Sequence, residues 1–331
     1  NYLVSFLSSD AAGAMADAQK VFDNLSCRSH SSYNSMIIGY IKCGELQKAV
    51  DFYQTLEEGC FSVHLNEYAF VAILKACTKL KDAERGSRIH VQIARRGFLE
   101  SNAILGTALV DMYCNCGMLK KAREVFEKLP EHDVVAWTSL ISGYAQHNQS
   151  NMALVSFQLM LTQGICPSSA TFVCVLKACG STSKLGFGRL LHHQIVVESW
   201  LDLDVAIGTS LVNMYCKCED LEDAHKIFSS MPTRNVVTFG AMISGYVRIG
   251  YVFLAFELFE RYRIEGSEPD KHTFSCILNG CATVSAAEEG KMVHNKVTLE
   301  GLDSDVVIGN TLVDMYAKCG ELYEARKVFD R

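Results

Sequence analysis

The 331-residue chain has only 4 prolines and no tract rich in Ser and Gly or in charge of one sign. Nothing in it therefore marks a linker or a disordered segment, and one continuous array over residues 1–331 is expected. No apolar run approaches the roughly eighteen residues that a membrane span needs, so no membrane partner is expected. Asn1 opens no basic-then-apolar leader, but both ends of the chain look cut, so that absence is uninformative. None of the 14 cysteines pairs at CxxC spacing, which argues against a zinc ribbon. A zinc nucleoside deaminase needs an HxE element with a Cys pair downstream, and neither occurs. No GxxxxGK[ST] is present either, and the GFG at 186–188 reads as a loop or helix irregularity. These absences leave no catalytic constellation, no metal and no cofactor.

What the chain does contain is repetition. TALVDMYCNCGMLKKAREVF begins at Thr107, TSLVNMYCKCEDLEDAHKIF at Thr209 and NTLVDMYAKCGELYEARKVF at Asn310, spaced 102 and 101 residues apart. A long-period repeat makes the chain a stack of similar units. In the first copy Leu109, Met112 and Tyr113 fall at i, i+3 and i+4, as do Ala122, Val125 and Phe126 further on, with Gly117 between. That pattern predicts two amphipathic helices joined by a left-handed glycine turn. Stacked hairpins of this kind form a superhelix whose first helices line a concave surface suited to an extended ligand, peptide or nucleic acid.

The same register accounts for the cysteines and histidines. Cys77, Cys179 and Cys281 recur at one place and Cys116, Cys218 and Cys319 at another, as expected of structural thiols in a reduced compartment rather than disulfides. His90, His192 and His294 also recur 102 residues apart, so they read as packing or polar-edge residues. His193 has no His or Cys at helical metal spacing. Net charge is −6, unlike a strongly basic non-specific nucleic-acid binder, although a basic face within an acidic exterior stays open.

Two further kinds of unit lie between the copies. SYNSMIIGYIKCGELQKAV from Ser32, VVAWTSLISGYAQ from Val134 and VVTFGAMISGYVRIG from Val236 represent one, and YAFVAILKAC, ATFVCVLKAC and HTFSCILNGC the other. The three-part cycle resembles the P, L and S motifs of plant PLS-type pentatricopeptide repeat (PPR) proteins, over the whole chain. The resemblance implies an all-α, right-handed α-solenoid of eight complete repeats and two partial ones. In that register a partial S unit covers 1–29, then P 30–66, L 67–102, S 103–133, P 134–168, L 169–204, S 205–235, P 236–270, L 271–305 and a truncated S from 306. Departures are the 37-residue P unit, an insertion near Ala11 to Gly13, and Glu219 where sister copies carry Gly117 and Gly320.

The resemblance further implies that the fifth residue of a unit and its last residue together read one RNA base. Fifth residues are Asn1, Asn34, Val71, Thr107, Thr138, Val173, Thr209, Gly240, Ser275 and Asn310. Last residues are Ser29, Asn66, Asn102, Asp133, Ser168, Asp204, Asn235, Asp270 and Asp305. Short amides and hydroxyls can hydrogen-bond a base edge and valine cannot, although Ser, Thr and Asn also favour helix starts for capping alone. Pairing rules carried across give Asn1/Ser29 cytosine, Asn34/Asn66 a pyrimidine, Thr107/Asp133 guanine, Thr209/Asn235 adenine and Thr138/Ser168 a purine. Gly240/Asp270 departs from the usual pairs, Asn310 has no partner, and the L units follow no dependable rule. Ile104, Val135, Val237 and Val307, one place after a unit's start, either stack on bases or pack the helix start.

The expected partner is single-stranded RNA, and the expected role is site selection for cytidine-to-uridine editing in a mitochondrion or chloroplast. Any deaminase would be a further domain or a separate protein. Uncapped end faces predict self-association. The alternative is a non-catalytic scaffold gripping a peptide in the same groove, as tetratricopeptide arrays do.

Overall fold

The computed structural model describes residues 12–25, 27–58, 65–198, 204–264 and 269–330. They are helical throughout, joined by short turns, and they divide into two compact units that meet at Ser168 and Ser169. In the first unit α1 (Ala12–Asp23) precedes the pairs α2 (His30–Lys42) with α3 (Leu46–Glu58), and α4 (Glu67–Leu80) with α5 (Ala83–Arg95). A single turn, α6 (Phe98–Ser101), leads to α7 (Ala103–Asn115) with α8 (Leu119–Glu127), and α9 (Val134–Gln146) with α10 (Ser150–Thr162). The second unit holds α11 (Ser169–Ser181) with α12 (Leu185–Val197), α13 (Val205–Lys217) with α14 (Leu221–Ser230), and α15 (Val236–Ile249) with α16 (Val252–Ile264). It ends with α17 (Lys271–Val284) and α18 (Ala287–Leu299), then α19 (Val306–Lys318) and α20 (Leu322–Phe329).

Each pair is a hairpin, and within each unit every first helix packs on the first helix of the next pair. The seam is apolar because the 3.6-residue period puts Leu109, Val110, Met112 and Tyr113 on the buried side of α7, with Ala122, Val125 and Phe126 of α8 against them. Leu211, Val212, Met214 and Tyr215 repeat the arrangement on α13, and Leu312, Met315 and Tyr316 on α19. No hairpin buries its own inner face, so stability comes from the interfaces, at about 25 cal/mol per Å² of apolar area.

Local backbone signals shape the hairpins. Gly117 and Gly320 turn the chain with φ of 76° and 81°, and Glu219 holds the same left-handed conformation at φ 64°. The Glu219 departure therefore leaves the turn intact. The GFG segment lies inside α12, where Gly188 admits the Met214 side chain, whose Sδ sits 2.6 Å from where a Cβ would be. Ala11 and residues 59–64, where the sequence departs from the regular unit lengths, lie outside the described residues.

The repeated histidines and cysteines occupy one kind of junction. Nδ1 of His90, His192 and His294 lies 3.0, 3.0 and 2.9 Å from the hydroxyls of Tyr113, Tyr215 and Tyr316 in the following pair. Cys77, Cys114, Cys179, Cys216 and Cys281 are buried free thiols, pushed up to about 12 mainly by burial. All the cysteines among the described residues are free. No helix of the described residues is long and apolar enough to cross a membrane.

Candidate nucleic-acid interface

The candidate residues gather at the starts of the first helices. Most last residues of a unit are N-caps of the next first helix: Ser29 accepts from the Ser32 N–H, Asn66 from Ala69, Asn102 from Leu105 and Asp133 from Ala136. Asp204 accepts from Ala206, Asn235 from Thr238, Asp270 from Thr273, and Asp305 from Val307 and Ile308. Capping is therefore a property these side chains have irrespective of any ligand. Ser168, half-buried, directly precedes α11, and Asn1 lies outside the described residues.

Fifth and last residues meet across the stack. Asn34 is 7% exposed, and its Oδ1 accepts the backbone N–H of Asn66 at 3.2 Å. Thr209, 8% exposed, shares a 2.7 Å hydrogen bond with Thr238, whose hydroxyl also donates to Asn235 Oδ1 at 3.0 Å. Thr273 donates to Asp270 Oδ1 at 2.7 Å, and its Oγ1 lies 3.1 Å from where a Cβ of Gly240 would stand. Thr107 and Thr138 are half-buried; Thr138 Oγ1 donates to the Val134 carbonyl at 2.6 Å. Asn310 is exposed. The linking hydroxyls Thr238 and Thr273, with Ser32 and Thr171, are buried third residues of their units. Sequence reasoning passed over them, although their recurrence in register was visible.

L units are wired differently. Their last residues Asn102, Asp204 and Asp305 are bound by the leading residues of the same units: Asn102 donates to Glu67, Ser169 donates to Asp204, and Lys271 pairs with Asp305 at 2.5 Å. Lys271, followed by the Ile308 N–H, holds the Asp305 carboxyl below its ordinary range. The fifth residues of these units are the half-buried Val71 and Val173, and Ser275, whose buried Oγ has no hydrogen-bond partner. In P and S units the leading residues are His30, Ala103, Val134, Val205, Val236 and Val306.

Beside these groups stand apolar side chains in the open. Ile104, Val135, Val237 and Val307 are 68, 56, 55 and 64% exposed. Tyr68, at the same second place of its unit, is 76% exposed and was missed because the sequence reading followed only the aliphatic members. More than half of each of these residues is thus left uncovered. At the far end of the first helices, Lys177, Lys217 and Arg248 stand close enough to interact: burial, then Lys177 and Arg248, lower the Lys217 pKa. These three give the acidic chain a local basic stripe. Among the described residues, no group of three or more His, Cys, Asp or Glu side chains is placed to hold a metal.

Comparison with known proteins follows the same lines. Residues 132–181 and 234–283 match the PPR repeat family, and residues 31–60, 107–134, 209–236 and 310–331 match the PPR repeat. The pentatricopeptide repeat-containing protein At2g33680 of Arabidopsis thaliana is 36% identical over 96% of this chain and 43% of its own length. At1g11290, chloroplastic, is 34% identical over 95% of this chain and 38% of its own. At3g09040, mitochondrial, is 32% identical over 96% and 31%. The chain thus spans less than half the length of each of these curated relatives. The crystal structure of PPR10 in complex with an 18-nt psaJ RNA element superposes with a TM-score of 0.78 at 17% identity, covering 99% of this chain and 48% of that one.

Proposed function

Because this chain is a pentatricopeptide repeat protein, we propose that it binds single-stranded RNA, one base per helix pair, through the fifth and last residues of its P and S units. The observation that carries the reading is the junction itself: fifth and last residues of different helices meet at Asn34/Asn66 and, through one threonine hydroxyl, at Thr209/Asn235. Exposed Ile104, Val135, Val237 and Val307 alongside supply faces on which bases stack, and Lys177, Lys217 and Arg248 supply charge for phosphates. PPR10, of the same fold, is known with an RNA element bound.

On this reading the preferred strand is 5′-C Y n G R n A n n Y-3′, running with the units. The chain is the recognition part of an organelle RNA-processing factor of the PLS type, selecting sites for cytidine-to-uridine editing that another domain or protein performs. The units form one array, 1–331, in the register given above. Gel-shift titration with that strand and with a scrambled strand of equal composition tests the code: tighter binding of the first supports it, and equal affinities remove it. No shift with any short RNA would leave the peptide-scaffold reading in its place.

A further inference from the structure

The three L-to-S junctions differ in one electrostatic respect. At the second, Arg189 of α12 pairs with Asp220 at 2.7 Å and Asp223 at 3.2 Å, and at the third, Lys291 of α18 pairs with Glu321 at 2.9 Å. In the aligned segments GSRIH, GRLLH and GKMVH, the first junction has Ser87 where the others have their cation. It has Met118 where Asp220 and Glu321 stand, and Lys121 where Asp223 and Glu324 stand. The cation has gone from one side, and a lysine has replaced an acid on the other.

A cavity of about 210 Å³ opens at this junction, lined by Ser87, His90, Tyr113, Lys121, Glu124 and Lys128, among others. Among the described residues, Lys121 Nζ reaches only the Ser87 hydroxyl, at 3.4 Å, and the face of the Tyr113 ring, at 5.7 Å. Neither Lys121 nor Lys128 has an ion-pair partner among the described residues, and the one lining carboxylate, Glu124, pairs with neither. Lys128 replaces the neutral Ser230 of the second junction. We propose that this cavity is an anion site, built for a tetrahedral oxyanion of the phosphate class held by Lys121 and Lys128, with the Ser87 hydroxyl, which donates to the Ala83 carbonyl at 2.8 Å, able to rotate toward it. Its walls are second-helix residues with Leu99 of α6, Tyr113, and Lys128 and Leu129 just beyond α8, away from the first-helix starts, so it is separate from the RNA reading and does not depend on it.

The site has a built-in reporter. His90 shares its hydrogen bond with Tyr113, and after burial the largest influences depressing its pKa are Lys128 and Lys121. An anion between those lysines offsets their charge and returns the imidazole toward its ordinary value, whereas His192 and His294 sit at junctions whose cations are already paired.

The test titrates the three histidines by NMR with and without inorganic phosphate, ionic strength being held constant with chloride. Glycerol phosphate serves as a second probe, to tell a free anion from a monoester. His90 should rise by about half a unit or more, well beyond any change at His192 or His294. The pair Ser87→Arg with Lys121→Asp, which writes the second junction's ion pair into the first, should abolish the response with the circular dichroism unchanged. Lys121→Gln with Lys128→Gln, both at exposed positions, should do the same. No shift at His90, an equal shift at all three histidines, or a response that survives both variants would overturn the site.

Discussion

Thr209 is bonded to Thr238, and Thr238 to Asn235, so a change at either end alters one local polar arrangement. Thr209→Asn with Asn235→Asp is expected to move the preference at that position from adenine toward uridine, read by affinities for strands differing in one base. An unchanged preference would mean the register is misplaced. Glycines give a second residue-scale contrast. A Cβ on Gly143 would meet Cys114 Cβ at 2.6 Å and its Cα at 3.4 Å, and so short a side chain cannot swing aside. Gly143→Ala should therefore cost about 1–3 kcal/mol. Gly309, inside α19 with nothing within 4 Å, should gain about 0.5–1 kcal/mol as Ala, and urea melts of both variants measure the difference. The sequence made the fifth and last residues findable by counting from each repeat. It could not show that Asn34 and Thr209 lie nearly buried against the next pair, because that depends on how far successive first helices are offset.

At the scale of the helix pair, the L-to-S junction is defined by a histidine on a tyrosine. Burial, the leading influence on both, lowers the pKa of His90 and His192 from the ordinary 6.5. The folded chain therefore resists protonation there while the unfolded chain takes it up, so this stability is fully present above pH 6.5 and is lost as pH falls below it. Urea midpoints should drop from pH 8 to pH 5, and the drop should be shallower in His90→Gln with His192→Gln. The repeat register identified these histidines as structural, but not their partners, since His90 and Tyr113 are 23 residues apart on different pairs. Register also placed the thiols. With five of them pushed up to about 12, a thiol reagent at neutral pH should modify exposed Cys27 and Cys166 rapidly and the buried five only on unfolding.

Over the whole molecule, a net charge of −6 coexists with the Lys177, Lys217 and Arg248 stripe, and composition alone could not resolve the two. On the proposed function, Lys217→Gln should weaken binding to all RNA sequences alike and reduce the log–log salt slope by about 0.7. A slope equal to that of the parent chain would place the stripe off the phosphate path. The stacked-hairpin fold itself was legible because a period near 102 residues, broken into 3.6-residue stripes, admits no single globular core. The different wiring of the L units was not, since it rests on a side-chain contact between Lys271 and Asp305, and likewise at Glu67/Asn102 and Ser169/Asp204, across 34–35 residues.

One constraint on the array's evolution follows from where each unit ends. On the proposed function, the side chain offered to a nucleotide is also the one that fastens the next helix, so the available alphabet is short: Ser, Asn and Asp in this chain, with Thr the nearest addition. Apart from Gly, any other letter would fray the following rod by about 1 kcal/mol before a transcript was ever encountered. Preference can drift freely only within that small set, and larger changes of target fall to the other member of each couple.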